Sequence, residues 1–255
     1  MNKFWWLAAC AAVQGAAAPV QAAQACGGQS PAHSVALLEL YTSEGCDSCP
    51  PADKFVSGLR AAGVAPDQAV LLSLHVDYWN YIGWKDPFSR AAFTERQRWL
   101  SDLAATRTVY TPEIFIGGKE LRGWARDVPA SIKRINDKPA QANIAIALGQ
   151  VGAAGLPVEV KASAQQGGTL YVALVESGLA VNVTAGENRG RTLRHDFVVR
   201  EWLPPLELAR DGKATVARTV PVPQGALPKN LGVSAFVQSA RGEVLQAFSL
   251  PACGG

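Results

Sequence analysis

The stretch Val35 to Asp53, VALLELYTSEGCDSCPPAD, constrains the fold more than any other part of the chain. Val35 to Tyr41 is an apolar run of strand length, and Thr42-Ser43-Glu44-Gly45 are turn formers that end it. Cys46 and Cys49 follow, and then Pro50-Pro51. Proline is tolerated in the first helical turn, where backbone amides have no intrahelical partner. A strand is therefore expected to deliver the cysteine pair to the start of a helix running from about Pro51 to Ala62, closed by Gly63.

This placement has chemical consequences. The unpaired amides and positive dipole end of a helix stabilise a thiolate on the first cysteine, and the second sulfur can reach back to close a disulfide. Cys46 is the expected attacking thiol and Cys49 the resolving one, as exchange through a mixed disulfide requires. Asp47 and Glu44 work against thiolate formation, so a reducing or weakly oxidising pair is expected. A structural disulfide between the two is the plain alternative. Zinc binding would need a second cysteine pair or nearby histidines, and the chain has three histidines in all.

The other cysteines bear on compartment. The first 25 residues have the pattern of an export signal: Lys3, an apolar stretch from Phe4 to Val13, and small residues leading to Ala25, with Ala22 an alternative cleavage point. Its removal takes away Cys10 and leaves Cys26, Cys46, Cys49 and Cys253. Cys26 and Cys253 lie at the two ends of the remaining chain, and chain termini are commonly close together in compact proteins. A disulfide between them is expected, as is a periplasmic or secreted location; two free thiols are the alternative. No later run approaches the roughly 20 apolar residues of a membrane-spanning helix. The net charge of +3 is spread along the chain without a basic run, which argues against nucleic acid as a partner.

Further along, Ala69 to Val76 reads as a second strand and Pro87 to Ala104 as a helix. Glu113 to Ile116, Gly117-Gly118 and a short strand near Glu120 and Leu121 read as a hairpin, and Asp127 to Asn136 as a last helix. Beyond Pro139 the texture changes to period-two runs, among them Asn143 to Leu148, Val158 to Ala162, Leu170 to Glu176 and Thr215 to Val220, separated by Gly, Pro and Asn turns. Residues 26–138 and 139–255 are accordingly expected to form two units. The element order with the Cys-x-x-Cys motif resembles thioredoxin-like proteins, so the expected architecture is an α/β thioredoxin-like domain followed by an all-β sandwich-like domain.

That resemblance carries site expectations. In thioredoxin-like proteins a cis-proline opens the hairpin strand beside the cysteine pair, and the residue before it offers backbone groups to a bound chain; Thr111-Pro112 resembles this feature. A buried carboxylate in the preceding strand acts on the resolving thiol, and Glu39 matches with a one-residue insertion, Leu40 without it. His75 and Asp77 end the second strand, where strand ends gather on one sheet edge. His75 is expected either to tune Cys46, to join Cys46 and Cys49 around a soft metal ion such as Cu(I), or to be an ordinary hydrogen-bonded histidine. Tyr78, Trp79, Tyr81 and Trp84 read as a peptide-binding rim or a lid core. Arg189, Arg191, Arg194, His195 and Asp196 read as an anion site, a packing cluster or a solvated loop.

More narrowly, LELYTSEGCDSCPPAD, the HVDYW stretch at His75 to Trp79 and GENRGRTLRHDFVV at Gly186 to Val199 resemble the secreted family catalogued as domain of unknown function 1223. Gly-Pro between thioredoxin's cysteines is replaced here by Asp47-Ser48, and the aromatic residue before the first cysteine by Gly45. The expected function is extracytoplasmic thiol-disulfide exchange with protein or small-molecule thiols and disulfides, without a cofactor. Soft-metal binding or delivery and a non-catalytic interaction module are the alternatives.

Overall fold

The computed structural model describes residues 26–106 and 108–253; the expected signal segment and Cys10 lie outside them. In chain order the strands and helices are β1 (Cys26–Gln29), β2 (Ala36–Thr42), α1 (Pro50–Gly58), β3 (Ala69–His75), α2 (Ala91–Leu103), β4 (Glu113–Ile116), β5 (Lys119–Glu120) and α3 (Trp124–Asn136). The remainder is strand: β6 (Ala142–Leu148), β7 (Leu156–Ala164), β8 (Thr169–Glu176), β9 (Leu179–Asn182), β10 (Thr192–His195), β11 (Val198–Trp202), β12 (Leu206–Glu207), β13 (Lys213–Val220), β14 (Leu231–Gln238) and β15 (Val244–Pro251).

These strands overturn the expected architecture. The protein is mostly β, with three α-helices in the described residues, and it is not an α/β thioredoxin-like domain followed by a separate sandwich. One nine-stranded sheet runs β15-β14-β8-β11-β3-β2-β4-β5, with β12 added to β8. It joins strands from both sides of residue 138: β11 pairs with β3 in parallel and with β8 in antiparallel fashion. A four-stranded sheet, β1-β6-β7-β13, and a β9-β10 ribbon complete the set.

The physical reason lies in burial. Strands with one face in water alternate apolar and polar residues, whereas strands covered on both faces are apolar nearly throughout. β6, β7 and much of β13 alternate buried with more exposed positions. In β8 and β14 neighbouring residues on opposite faces are both buried. Leu170, Val172 and Leu174 of β8 pack with the four-stranded sheet, while Ala173 and Val175 pack on the other side with Phe93 and Leu100 of α2.

β2 is likewise covered twice. Leu38 and Leu40 meet α1 and α3 through Ala52, Val56, Val128 and Ile132, and Leu37 and Tyr41 face α2. α1 and α3 therefore share a sheet face, and α2 lies on the opposite one. This layering brings the ends of β2 and β3, the start of α1 and the β9-β10 ribbon into one neighbourhood, since α1 packs against β10.

Candidate functional site

Cys46 and Cys49 are joined in a disulfide whose two residues are fully buried. Thr42 ends β2, the Ser43 carbonyl accepts the Cys46 amide at 3.2 Å, and Cys49 caps α1 with Pro50 and Pro51 in its first turn. Gly45 fits because a side chain there would press within 3.1 Å of Trp79 Cβ. The Thr111–Pro112 bond is cis. The Thr111 carbonyl oxygen lies 3.7 Å from Cys46 Sγ, and Trp79 Nε1 donates to Thr111 Oγ1 at 2.7 Å.

The cover over the pair comes from 140 residues away. Asn188 Nδ2 donates to the carbonyls of Glu44 and Cys46, both at 2.9 Å, and Glu187 Oε2 accepts the Asp47 amide at 3.0 Å. Gly186 adopts φ +71°, and a Cβ there would sit 3.2 Å from Trp84 Cβ. The aromatic segment 79–84 and the loop 184–190 thus close over the cysteine turn together.

Beneath that turn lies a buried polar cluster. His75, at the end of β3, donates from Nδ1 to Asp86 Oδ2 at 2.7 Å. Asp86 also accepts the backbone amides of Glu44 and Phe88. His195, at the end of β10, meets Glu44 Oε1 through Nε2 at 3.1 Å, and Trp84 Nε1 donates to Glu44 Oε2. Asp53 stands one turn into α1, its Oδ2 accepting from Thr42 Oγ1 at 3.0 Å and its Oδ1 lying 3.9 Å from His195 Nδ1. Glu44, His75 and Asp86 are essentially inaccessible, and Asp53 and His195 nearly so.

Burial and charge compete in this cluster. Burial pushes the Asp53 carboxyl above its ordinary range, against the pull of His195 and His75. Burial opposes charge on His75, but the carboxylates of Asp86, Asp53 and Glu44 together outweigh it and raise the imidazole above its ordinary value. Asp86 is pushed up by burial yet held below the usual range by His75 and two backbone amides.

The expected site residues divide between two faces of the sheet. Cys46, Cys49, Thr111 and Pro112 come together. His75 faces Asp86, Asp53 and His195, with no hydrogen bond to either cysteine among the described residues. Glu39 alternates with Leu38 and Leu40 along β2 and so emerges on the α2 face, away from α1. There it pairs with buried Arg96 at 2.5 and 3.1 Å and accepts from Tyr41 Oη. Its expected role at the resolving thiol does not fit this position, because strand alternation sends successive side chains to opposite faces. Cys26 and Cys253 are bonded to each other.

No sequence signal marks Asp53, Asp86 or Asn188 as a site residue, and His195 belongs to the cluster expected as an anion site, a packing cluster or a solvated loop. The available signal is scarcity: two of only three histidines, His75 and His195, stand at strand ends, His75 after an apolar run and His195 after Thr192-Leu193-Arg194.

In comparisons with known proteins, the family described as "Protein of unknown function (DUF1223)" matches residues 37–238. No curated protein matches. The crystal structure of protein AGR_C_4864 from Agrobacterium tumefaciens is similar at 25% identity and a TM-score of 0.58, over 88% of this chain and 96% of that one. HBP35 of Porphyromonas gingivalis shares the fold at 15% identity and a TM-score of 0.63, over 89% of this chain and 77% of that one.

Proposed function

The chain belongs to the DUF1223 family of proteins of unknown function, and we propose that it is an extracytoplasmic thiol-disulfide exchange protein working through Cys46 and Cys49. The observation that carries this reading is the bonded pair at the start of α1 with a backbone carbonyl, that of Thr111, 3.7 Å from Cys46 Sγ. A bound chain could use the backbone at Thr111 to align its own sulfur with Cys46.

In the reducing direction the Cys46 thiolate attacks a client disulfide, forming a mixed disulfide and releasing one client thiolate. The Cys49 thiolate then attacks Cys46 Sγ, releasing the second client thiolate and restoring the Cys46–Cys49 bond. Two electrons pass to the client, and the pair is oxidised. A client thiolate attacking the oxidised pair runs the same steps backwards. Because both cysteines are covered, the loop at 184–190 must move before a protein client reaches Cys46.

Two disulfides and the lack, among the described residues, of a helix long and apolar enough to cross a membrane are compatible with an oxidising, extracytoplasmic setting. The test is glutathione disulfide offered to the reduced Cys49→Ser variant. The reading expects a mixed disulfide at Cys46, abolished by Cys46→Ser. A purely structural disulfide would leave the variant unreacted under native conditions.

A further inference from the structure

Nothing in thiol exchange requires the two histidines beneath the cysteine turn. His75 Nε2 and His195 Nδ1 are both buried and without a hydrogen-bond partner. Orphaned buried nitrogens are costly and uncommon. Their rings cross at 79° with centroids 4.9 Å apart. One ring nitrogen of each histidine and a carboxylate oxygen of Asp53 all lie within 4.8 Å of one another, and the unpartnered His195 Nδ1 is 3.9 Å from Asp53 Oδ1. His75 Nδ1 and His195 Nε2 are each engaged by a carboxylate, Asp86 for His75 and Glu44 for His195. Metal-ligating histidines are held in this way: a carboxylate takes the hydrogen of one ring nitrogen and leaves the other bare.

The charge balance points in the same direction. Glu44, Asp53 and Asp86 are three buried carboxylates, and among the described residues their ionic partners are only the two histidines, with no lysine or arginine. Buried charges are normally paired or bound to metal.

We propose that Asp53, His75 and His195 form a binding site for a divalent transition-metal ion, with Asp86 and Glu44 orienting the two imidazoles. The donor set of two imidazoles and one carboxylate suits Zn²⁺ and related first-row ions. A Zn²⁺ ion with ligands at about 2.0–2.2 Å would draw the three donor atoms together from their present spacing, and a fourth position would remain for water or an exogenous ligand. The ion would tie α1, β3 and β10 together below the cysteine pair. This set differs from a thiolate site at Cys46, Cys49 and His75, because it needs neither sulfur and stands with the disulfide closed.

The experiment is Zn²⁺ titration, in competition with a chromophoric chelator, of the full protein stripped of metal and kept with its disulfides intact. One equivalent should bind to wild type and to the Cys46→Ser/Cys49→Ser double variant, and Zn²⁺ should raise the unfolding temperature of both. Asp53→Asn, nearly isosteric, and His195→Gln should lose stoichiometric binding while retaining the wild-type circular dichroism spectrum. Asp86→Asn should weaken binding about 10–100-fold. Should either ligand variant fail to fold, Co²⁺ bound to oxidised wild type should give d–d absorption without thiolate-to-metal charge transfer. Failure of wild type to bind Zn²⁺, unchanged binding in folded Asp53→Asn, or loss of binding in the double-cysteine variant would each overturn the proposal. None of these results depends on whether the cysteines exchange disulfides.

Discussion

Asn188 holds the backbone of Cys46: its side-chain amide donates to the Cys46 carbonyl at 2.9 Å across 142 residues of sequence, and to that of Glu44 as well. The cysteine turn is thus anchored to a loop from the far half of the chain. Asn188→Ala removes the donor and leaves two carbonyls to find water. The cover should open more often, and reduction of the Cys46–Cys49 disulfide by dithiothreitol under native conditions should accelerate, by about tenfold if one to two kcal/mol of hydrogen bonding is lost. A reduction rate unchanged from wild type would show that the loop at 184–190 does not control access.

The Cys26–Cys253 bond closes a span of 227 residues. The loop-closure estimate for so long a span is about 5 kcal/mol. A Cys26→Ser/Cys253→Ser variant should unfold at markedly lower urea concentration, with the Cys46–Cys49 pair still able to form. Equilibrium denaturation of the two proteins side by side measures the difference.

Glu39 and Arg96 are a buried ion pair on the α2 face. The Arg96 guanidinium also packs over Tyr171, Trp202 and Phe236, with centroid distances of 4.7, 5.2 and 4.8 Å. Arg96→Met leaves the Glu39 carboxylate without its cation, a loss expected to cost about 3–5 kcal/mol. Glu39→Gln, which keeps a polar group for Tyr41 and Arg96, should cost less. In folded Glu39→Gln the rate of thiol exchange should equal that of wild type, because the pair lies across the sheet from Cys49. A large change in rate with unchanged stability would restore Glu39 as a participant in exchange.

Glu113 supplies a pH signature. Burial pushes its carboxyl up from 4.5 to about 7; the Gln97 amide, bonded at 2.6 Å, pulls it down, Glu120 raises it further and Arg122 offsets that. Between these values the folded protein keeps a proton that the unfolded chain has released. The associated stability is therefore fully present below about pH 4.5 and is lost as pH rises through 7. Glu113→Gln should flatten this part of the stability profile, measured by denaturant unfolding between pH 5 and about 8.

The sequence alone determined the local unit on which the candidate chemistry rests. An apolar run, a string of turn residues, two cysteines and two prolines are short-range signals, and the strand, turn and helix they indicate occur together at residues 36–58. Most later strands were also legible from their alternation. The nine-stranded sheet was not, because strand pairing joins residues far apart in sequence, and periodicity cannot say which strand lies beside which. The near-continuous burial of β8 and β14 was a trace of it, indistinguishable in isolation from a sandwich interior. The same limit hid the buried cluster. His75 is a polar residue at the end of an apolar strand, and His195 ends the short mixed strand Thr192-Leu193-Arg194-His195. Only the parallel pairing of β11 with β3, and the packing of β10 on α1, place Asp53 and both imidazoles within reach of one another.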